Sequence, residues 1–138
     1  MRTISVELPN HSYSVDIQRG ILNRTGELVG NIWAPRKIAL LSDDIVAPLY
    51  QDSVAESLTK VGYKVFKYQF PAGEQSKSLT TLAHLATEMA NDGFTRDDGV
   101  IALGGGVTGD LSGFVAATYM RGIHFIQIPT SLLAQVDS

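Results

Sequence analysis

Apolar and polar residues alternate in two short segments at the start of the chain. Ile4, Val6 and Leu8 alternate with polar neighbours, and a second alternating segment follows at 13–17, after a Pro-Asn-His break. Alternation with a period of two predicts half-buried strands, and the spacing between these two is typical of a hairpin. The next segment, 21–34, contains two glycines and predicts only a short helix or an irregular turn.

Beyond residue 36 the pattern changes to apolar runs separated by stretches of helical periodicity. The runs predict four strands, at 37–41, 65–70, 99–103 and 125–129. Apolar residues recur at helical spacing between them, over 46–61, 79–90 and 107–118. Continuous runs such as 37–41 are typical of strands covered on both faces, as in a parallel sheet. A hairpin followed by three β-α units and a strand predicts an α/β fold, with a Rossmann-like, largely parallel sheet flanked by helices.

Each of the three predicted helices has one face that we expect to pack on the sheet. The residues assigned to these faces are Val46, Leu49, Tyr50, Val54, Leu58 and Val61, then Leu79, Leu82, Ala83, Ala86, Met89 and Ala90, and finally Val107, Leu111, Phe114, Val115 and Thr118. After the last strand, Thr130 and Ser131 stand where a further helix would be capped. The sequence ends at residue 138 within that apolar helical pattern and without a stop signal, so we interpret it as a fragment.

Composition argues against several classes of protein. The chain has 138 residues, 44% of them hydrophobic and 18% charged, which suits one globular domain over 1–138. It contains no cysteine, which rules out disulfides and thiolate metal ligands and suits a cytoplasmic location. The 11 basic residues are scattered among 14 acidic ones, so we expect no nucleic-acid partner. The longest apolar run, 99–107, is far shorter than the ~20 residues that span a bilayer, and the start of the chain lacks the apolar stretch of a signal peptide, so we expect no membrane partner.

The segment from Leu103 to Asp110, LGGGVTGD, carries the strongest chemical signal. It matches G-x-G-x-x-G and lies between a predicted strand and a predicted helix, which is the context that this motif requires. Glycines let backbone amides approach a diphosphate closely, and the helix N-terminus adds about half a positive charge. The segment therefore predicts phosphate binding, although a tight turn packed closely by small residues would read in the same way.

Two features differ from the usual dinucleotide-binding fingerprint. The motif lies on the third β-α unit rather than the first, and no acid stands about twenty residues downstream to hold a ribose. Asp43 ends an earlier strand, so it is a candidate for a ribose or adenine contact, or equally for a helix cap shared with Asp44. Asp110 lies in the first turn of the glycine-rich helix, where it is either a structural acid or a partner for a neutral donor such as a ribose hydroxyl.

The remaining polar residues have simpler interpretations beside the functional ones. Glu74 and Lys77 lie in the loop 71–77, where an ordinary surface ion pair would be worth under about 1 kcal/mol. Arg121 follows the glycine-rich helix, and a cation there would stabilise the C-terminus of that helix. The three histidines are dispersed without a shared spacing, so they predict no metal site.

Several segments together closely resemble the 3-dehydroquinate synthase family. They are GGGVTGDLSGF at 104–114, YMRG at 119–122 and IQIPTSLLAQVDS at 126–138. Upstream, PAGEQSK at 71–77 is similar to the G-E-x-x-K loop of that family. The resemblance extends over the whole chain, which would correspond to the N-terminal, nucleotide-binding part of a family member. The combination is much more specific than any one of its motifs.

The resemblance implies roles for individual residues. The loop would hold the adenosine side of NAD through Glu74 and Lys77, and the segment 106–110 would cradle the diphosphate and the nicotinamide ribose. The residues that it implies for cofactor binding are Asp43, Ala72, Gly73, Glu74, Gln75, Ser76, Lys77, Gly105, Gly106, Val107, Thr108, Gly109, Asp110, Thr130 and Ser131. It also implies two catalytic residues. Asp137 would lie near the nicotinamide and substrate, and Arg121 would reach the substrate phosphate, across the interface of a homodimer.

The resemblance further implies an activity for a longer protein. The family consists of lyases that convert DAHP, a seven-carbon phosphorylated keto-sugar acid, into 3-dehydroquinate in the shikimate pathway of aromatic amino acid biosynthesis. Tightly held NAD transiently oxidises a ring hydroxyl, phosphate is eliminated, the carbonyl is reduced again, and an aldol step closes the ring. A zinc or cobalt ion polarises the hydroxyl that is oxidised.

The parts of the family that bind metal are not in this sequence. In the family, Val-Asp-Ser is followed by a glycine-lysine segment and later by a glutamate and two histidines that hold the ion. We therefore expect the chain alone to be inactive. The alternatives are a related cyclase of the inosose synthase type and a non-catalytic nucleotide-binding domain. Polyol dehydrogenases of similar architecture usually carry Gly-Gly-Gly-Ser where this chain has Gly-Gly-Gly-Val, which disfavours them.

Overall fold

A β-hairpin and a short helix precede the main sheet. The computed structural model describes residues 2–8, 11–17 and 21–130. β1 (Arg2–Leu8) and β2 (His11–Ile17) pair antiparallel, which confirms the predicted hairpin. A 3-10 turn (Ile21–Arg24) then leads into α1 (Thr25–Gly30), so the ambiguous segment after the hairpin is helical over all of its first ten residues.

The centre of the domain is a four-stranded parallel sheet. Its strands are β3 (Lys37–Asp43), β4 (Lys64–Phe70), β5 (Gly99–Gly104) and β6 (His124–Pro129), in the order β4-β3-β5-β6. The connecting helices are α2 (Ala47–Lys60), α3 (Leu79–Asn91) and α4 (Gly106–Thr118). The predicted α/β architecture with a parallel sheet is confirmed.

The strand order places a topological switch point between β3 and β5. From β3 the chain moves outward to β4, then crosses over to the other side of β3 to form β5. The connections after β3 and after β5 therefore run in opposite directions along the sheet. In open α/β sheets, ligands bind in the crevice that this reversal leaves at the carboxyl ends of the strands.

Helices cover both faces of the sheet. Ala39, Leu41 and Val100 pack with residues of α3 and α4 on one face, while Ile38 and Leu40 pack with α1 and α2 on the other. All five side chains have 0% exposure. Burial on both faces explains why β3 is a continuous apolar run, and each fully buried valine, leucine or isoleucine contributes about 1.5–3 kcal/mol.

The helices bury partly different residues from those that the periodicity assigned. The predicted face residues that are exposed instead are Leu49, Tyr50, Val61, Leu79, Ala83, Ala90, Phe114 and Thr118. In α2 the inward position is taken by Gln51, whose amide donates to the carbonyl oxygens of Leu40 (3.0 Å) and Tyr68 (3.2 Å). In α3 it is taken by Leu85, which the pattern had left out. The sheet therefore accepts a polar side chain wherever its hydrogen bonds are made.

Candidate nucleotide-binding site

A glycine-rich turn joins β5 to α4 beside the switch point. β5 ends at Gly104 and α4 begins at Gly106, with Gly105 between them in an extended conformation (φ −85°, ψ −161°). No side chain of the described residues caps this helix. The amides of Gly106, Val107 and Thr108 belong to the first turn, where a helix offers no acceptor of its own. The N-terminus of α4 therefore presents hydrogen-bond donors and a partial positive charge, the combination that binds anions.

The glycines of this turn have different structural roles. A β-carbon on Gly104 would lie 2.6 Å from Thr108 Oγ1, and one on Gly109 would lie 2.1 Å from Gln127 Nε2. These two glycines let the turn close and let α4 pack tightly on β6. Gly106 differs, because nothing lies within 4 Å of the position that its β-carbon would take. The backbone at Gly106 is therefore the part of the turn that another group can approach.

The loop 71–77 is shaped by bonds among its own residues. Gly73 has φ +113°, a backbone conformation that favours glycine. Gln75 donates from Nε2 to the carbonyl oxygen of Ala72 (2.8 Å). Ser76 is 3% exposed and donates its hydroxyl to the first carbonyl oxygen of the loop. Because these side chains serve the loop itself, ligand contacts from them would have to come through the backbone.

Lys77 connects this loop to the glycine-rich helix. Its Nζ lies 3.0 Å from Asp110 Oδ2 and 3.8 Å from Glu74 Oε2. The hydrogen bond and the attraction of Asp110, and then the attraction of Glu74, raise the pKa of Lys77. All three side chains are exposed, so we expect these ion pairs to orient the lysine and the two carboxylates rather than to add much to the stability of the fold. Asp110 is thus paired with a lysine in this structure, and its carboxylate remains exposed.

Two adjacent acids at the end of β3 have separate partners. Asp43 Oδ1 accepts hydrogen bonds from the amides of Ile45 (2.9 Å) and Val46 (2.7 Å), which closes the turn into α2. Asp44 does not share that cap, because its carboxylate accepts the amide of Ala72 in the neighbouring loop. Of the two interpretations of Asp43, the capping role is present in the structure. Its half-buried carboxylate also has a second oxygen to which no described residue donates.

Thr130 adjoins the glycine-rich turn from the next strand. It follows β6, is half-buried, and donates its amide to the carbonyl oxygen of Gly104 at 2.9 Å. Ser131 and Asp137, the other residues expected at this end of the chain, lie outside the described residues. The loop, the turn and Thr130 are therefore collected at the carboxyl edge of the sheet, on three successive strands.

A family model described as 3-dehydroquinate synthase N-terminal matches residues 67–138, which include the loop, the glycine-rich turn and Thr130. The chain belongs to this family. A 3-dehydroquinate synthase of Streptococcus suis (strain 05ZYH33) is 54% identical over 135 residues, which are 98% of this chain and 38% of the relative. One of Latilactobacillus sakei subsp. sakei (strain 23K) is 54% identical over 138 residues, or 100% and 39%. The chain thus spans about two fifths of the length of these synthases.

A solved structure has the same fold and carries a dinucleotide. It is a 2-deoxy-scyllo-inosose synthase complexed with carbaglucose-6-phosphate, NAD+ and Co2+. It is 27% identical to this chain with a TM-score of 0.87, over 99% of this chain and 37% of that one. The identity to the 3-dehydroquinate synthases is twice as high, which separates the chain from the inosose synthases within a shared architecture.

Arg121 lies at the far end of α4 from the glycine-rich turn. The helix has 13 residues, which places its ends about 20 Å apart. Met120 (φ 46°) and Arg121 (φ 67°) are in the left-handed region, and Gly122 follows at φ +118°. Arg121 is exposed, and no group of the described residues bonds to it. Within one copy of the chain, the structure does not bring Arg121 to the other residues expected from the 3-dehydroquinate synthase family.

No metal centre can be built from the described part of the chain. Residues 22–130 contain no group of three histidine, aspartate or glutamate side chains placed to hold an ion. A separate observation is that no helix in the described ranges is long and apolar enough to cross a membrane.

Sequence reasoning missed two contacts that shape the site. The bond from Ala72 to Asp44 joins residues 28 positions apart, and only the pair of acids at a strand end hinted at it. The contact of Gln127 with Gly109 was missed because Gln127 lies within an apolar strand, where a polar side chain has no periodic signal. The bond to Asp44 fixes the backbone at Ala72, and Gln127 occupies the space that a side chain at position 109 would need.

Proposed function

We propose that residues 1–138 are the NAD-binding domain of a 3-dehydroquinate synthase. The observation that carries this proposal is the uncapped, uncovered glycine-rich start of α4, which Lys77 and Asp110 join to the loop 71–77 beside the switch point. Family membership and a neighbour of the same fold with NAD+ bound support it. The donor set fits a dinucleotide, since it combines free amides for a diphosphate with carboxylates for hydroxyl groups.

The chain's own residues divide into two parts of the proposed site. The free amides of Gly106, Val107 and Thr108 would bind the diphosphate, with Gly105 and the buried Gly109 shaping the turn. Asp110 would face the nicotinamide ribose.

For the adenosine side of the cofactor, we propose that the second oxygen of Asp43 and the loop 71–77 bind it, with Glu74 and Lys77 as the polar side chains of the loop. The other proposed contacts are Ala72, Gly73, Gln75, Ser76, Thr130 and Ser131.

The longer protein would then carry the complete activity. We propose DAHP as its substrate, 3-dehydroquinate and phosphate as its products, a homodimer as its assembly and the cytoplasm as its location. When bound, NAD supplies a reversible acceptor for the hydride of a substrate hydroxyl. Arg121, exposed and unpartnered among the described residues, would bind the substrate phosphate in a partner's site, and Asp137 would lie near the nicotinamide.

Substitution of Gly106 tests the proposal. Gly106→Ala would place a methyl group in the open space over the turn, so we expect at least about a tenfold loss of NAD affinity, or 1.4 kcal/mol, with no loss of folding stability. The measurement is isothermal titration of the full-length protein with NAD, beside thermal unfolding. Gly113→Ala in the same helix is the control, because its β-carbon would meet Phe125 at an ordinary 3.5 Å.

Two results would contradict the proposal. The first is an absence of NAD binding at millimolar concentration in the folded full-length protein, which would favour a structural domain. The second is unchanged NAD affinity in Gly106→Ala, which would place the dinucleotide elsewhere. Turnover of DAHP by residues 1–138 alone would overturn the expectation that this part is inactive.

A cyclase of the inosose type is the second candidate function. The observation that favours it is the TM-score of 0.87 to 2-deoxy-scyllo-inosose synthase, over nearly the whole chain. The sequence argues against it, because identity falls from 54% with 3-dehydroquinate synthases to 27% with that protein. Both candidates need the same NAD site, so the test at Gly106 applies to either.

A further inference from the structure

Asp44 ties the end of β3 to the loop that follows β4. Its Oδ1 accepts a hydrogen bond from the amide of Ala72 at 2.9 Å, across 28 positions of the chain. Its own amide donates to the carbonyl oxygen of Phe70 at 3.0 Å. The start of the loop 71–77 is therefore fixed to the neighbouring strand as well as to its own.

The other end of the same loop is held independently. Lys77 Nζ lies 3.0 Å from Asp110 Oδ2 on α4. Between the two ends, Gly73 turns the backbone at φ +113° and Gln75 bonds back to Ala72. The loop is thus fastened to the end of β3 and to α4, the helix that follows β5, so both attachments lie beside the switch point.

We propose that Asp44 is a positioning residue for the cofactor loop. Through the amide of Ala72 it would fix the orientation in which Glu74 and Lys77 meet a dinucleotide. This inference rests on the NAD site proposed above. A loop that is ordered before binding avoids the entropic cost of ordering it on binding, so the tether contributes to affinity without touching the ligand.

Asp44 and the adjacent Asp43 accept hydrogen bonds from different parts of the chain, so their roles can be tested separately. Asp43 Oδ1 is engaged by the turn into α2, at Ile45 and Val46, and Asp43 is a proposed ligand contact. Among the described residues, Asp44 Oδ1 is engaged by Ala72 alone. The tether requires an acceptor oxygen at that position and does not require its charge. Asparagine keeps such an oxygen and alanine does not.

The test compares three variants of the full-length protein. Asp44→Ala removes the acceptor, Asp44→Asn keeps it, and Asp97→Ala removes an exposed acid at the opposite edge of the sheet, just before β5. Hydrogen exchange of the peptide containing Ala72 is followed by mass spectrometry without NAD, and NAD affinity by titration calorimetry. We expect Asp44→Ala to lose protection at Ala72 and to bind NAD about tenfold more weakly, as for the loss of a hydrogen bond to a charged group.

The conservative variant Asp44→Asn and the control Asp97→Ala should both behave much like the wild type. Asp44→Asn should keep the protection and bind NAD within about threefold of wild type, because a neutral acceptor still makes the bond. Asp97→Ala should change neither measurement. Rescue by asparagine is a result that general destabilisation by the loss of an acid would not produce.

The exchange measurement needs no cofactor, so it separates two kinds of failure. If Ala72 is protected but the wild type binds no NAD, the proposed function is wrong and this inference falls with it. If Asp44→Ala loses protection at Ala72 yet binds NAD with wild-type affinity, the proposed NAD site is unaffected, but Asp44 has only a structural role and the positioning role is wrong. If Asp44→Asn stays protected but loses as much affinity as Asp44→Ala, the charge acts directly and the positioning role is wrong.

Discussion

At the scale of single residues, the unusual backbone conformation of Gly73 turns the cofactor loop. Its φ of +113° with ψ of 164° lies in a region that side chains rarely enter. A β-carbon there would also lie 2.4 Å from Oε1 of Gln75, the side chain that closes the loop onto Ala72. Any side chain at position 73 would therefore both strain the backbone and push the closing bond apart.

Gly73→Ala is expected to weaken NAD binding by more than its effect on stability explains. Gly62, just past α2, has a similar φ of +103° but open space around it, so Gly62→Ala reports the backbone strain alone, about 1–3 kcal/mol. Both variants should unfold at lower urea concentration, and only Gly73→Ala should lose NAD affinity in calorimetry. Equal affinity in the two variants would show that the conformation of this loop does not matter for the cofactor.

Residue identity predicted the glycine-rich turn but not the arrangement around it. The segment from Gly104 to Gly109 can be recognised in the sequence because its glycines are close together and because the groups that bind phosphate there are backbone amides. The pairing of Lys77 with Asp110 and the bond from Ala72 to Asp44 join distant parts of the chain. Such contacts depend on the order of the strands, which no local pattern contains.

At the scale of elements, the close packing of α1 on α2 depends on one glycine. Gly26 donates its amide to Ser57 Oγ at 2.9 Å, and a β-carbon on Gly26 would lie 2.0 Å from the carbonyl oxygen of Ser57. That atom belongs to the backbone of α2, so it cannot swing away as the end of a side chain can. The two helices would have to separate, and the core that they share with β3 would open.

Gly26→Ala is therefore expected to destabilise the domain by about 1–3 kcal/mol, the usual cost of overpacking. Gly30→Ala, in the same helix with nothing within 4 Å, should be neutral or stabilise the fold by up to about 1 kcal/mol. Equilibrium urea unfolding of both variants gives the comparison. A Gly26→Ala variant as stable as Gly30→Ala would mean that the two helices are less tightly packed than the structure shows.

The elements themselves were largely predictable, whereas the faces of the helices were not. Strands such as β3 and β5 are buried on both sides, so their apolar runs identify them without any knowledge of the fold. Helix faces depend on which few positions meet the sheet. In α2 the polar Gln51 occupies the centre of that face because two strand carbonyls satisfy its amide. A pattern that counts only apolar residues therefore assigns the face to Leu49 and Tyr50.

At the scale of the whole molecule, three buried tyrosines connect separate parts of the chain. Tyr63 donates to the carbonyl oxygen of Val29 (3.1 Å) and Tyr119 to that of Phe94 (3.0 Å). Tyr68 donates its hydroxyl to the carboxylate of Asp92. Burial is the main cause that raises the pKa of each hydroxyl, and for Tyr68 the bond to Asp92 raises it further. The folded domain thus holds these groups neutral.

The same tyrosines should make the fold sensitive to alkali. Because their pKa values are higher in the folded state, the stability that they contribute is present below the ordinary tyrosine pKa of about 10 and is lost as the pH rises above it. Each such tyrosine lowers the free energy of unfolding by up to about 1.4 kcal/mol per pH unit in that range. Urea unfolding followed by the fluorescence of the buried Trp33 should show constant stability from pH 8 to 9.5 and a decline beyond pH 10.

Tyr68→Phe separates this titration from the loss of a hydrogen bond. The variant should be less stable than wild type at pH 8, because Asp92 loses its partner there. Above pH 10 its stability should fall less steeply than that of wild type, so the two curves converge as the pH rises. The difference in slope, rather than in stability, is the quantity to compare. Parallel curves up to pH 11 would show that Tyr68 titrates alike in the folded and unfolded chain, and that the alkaline transition arises from other groups.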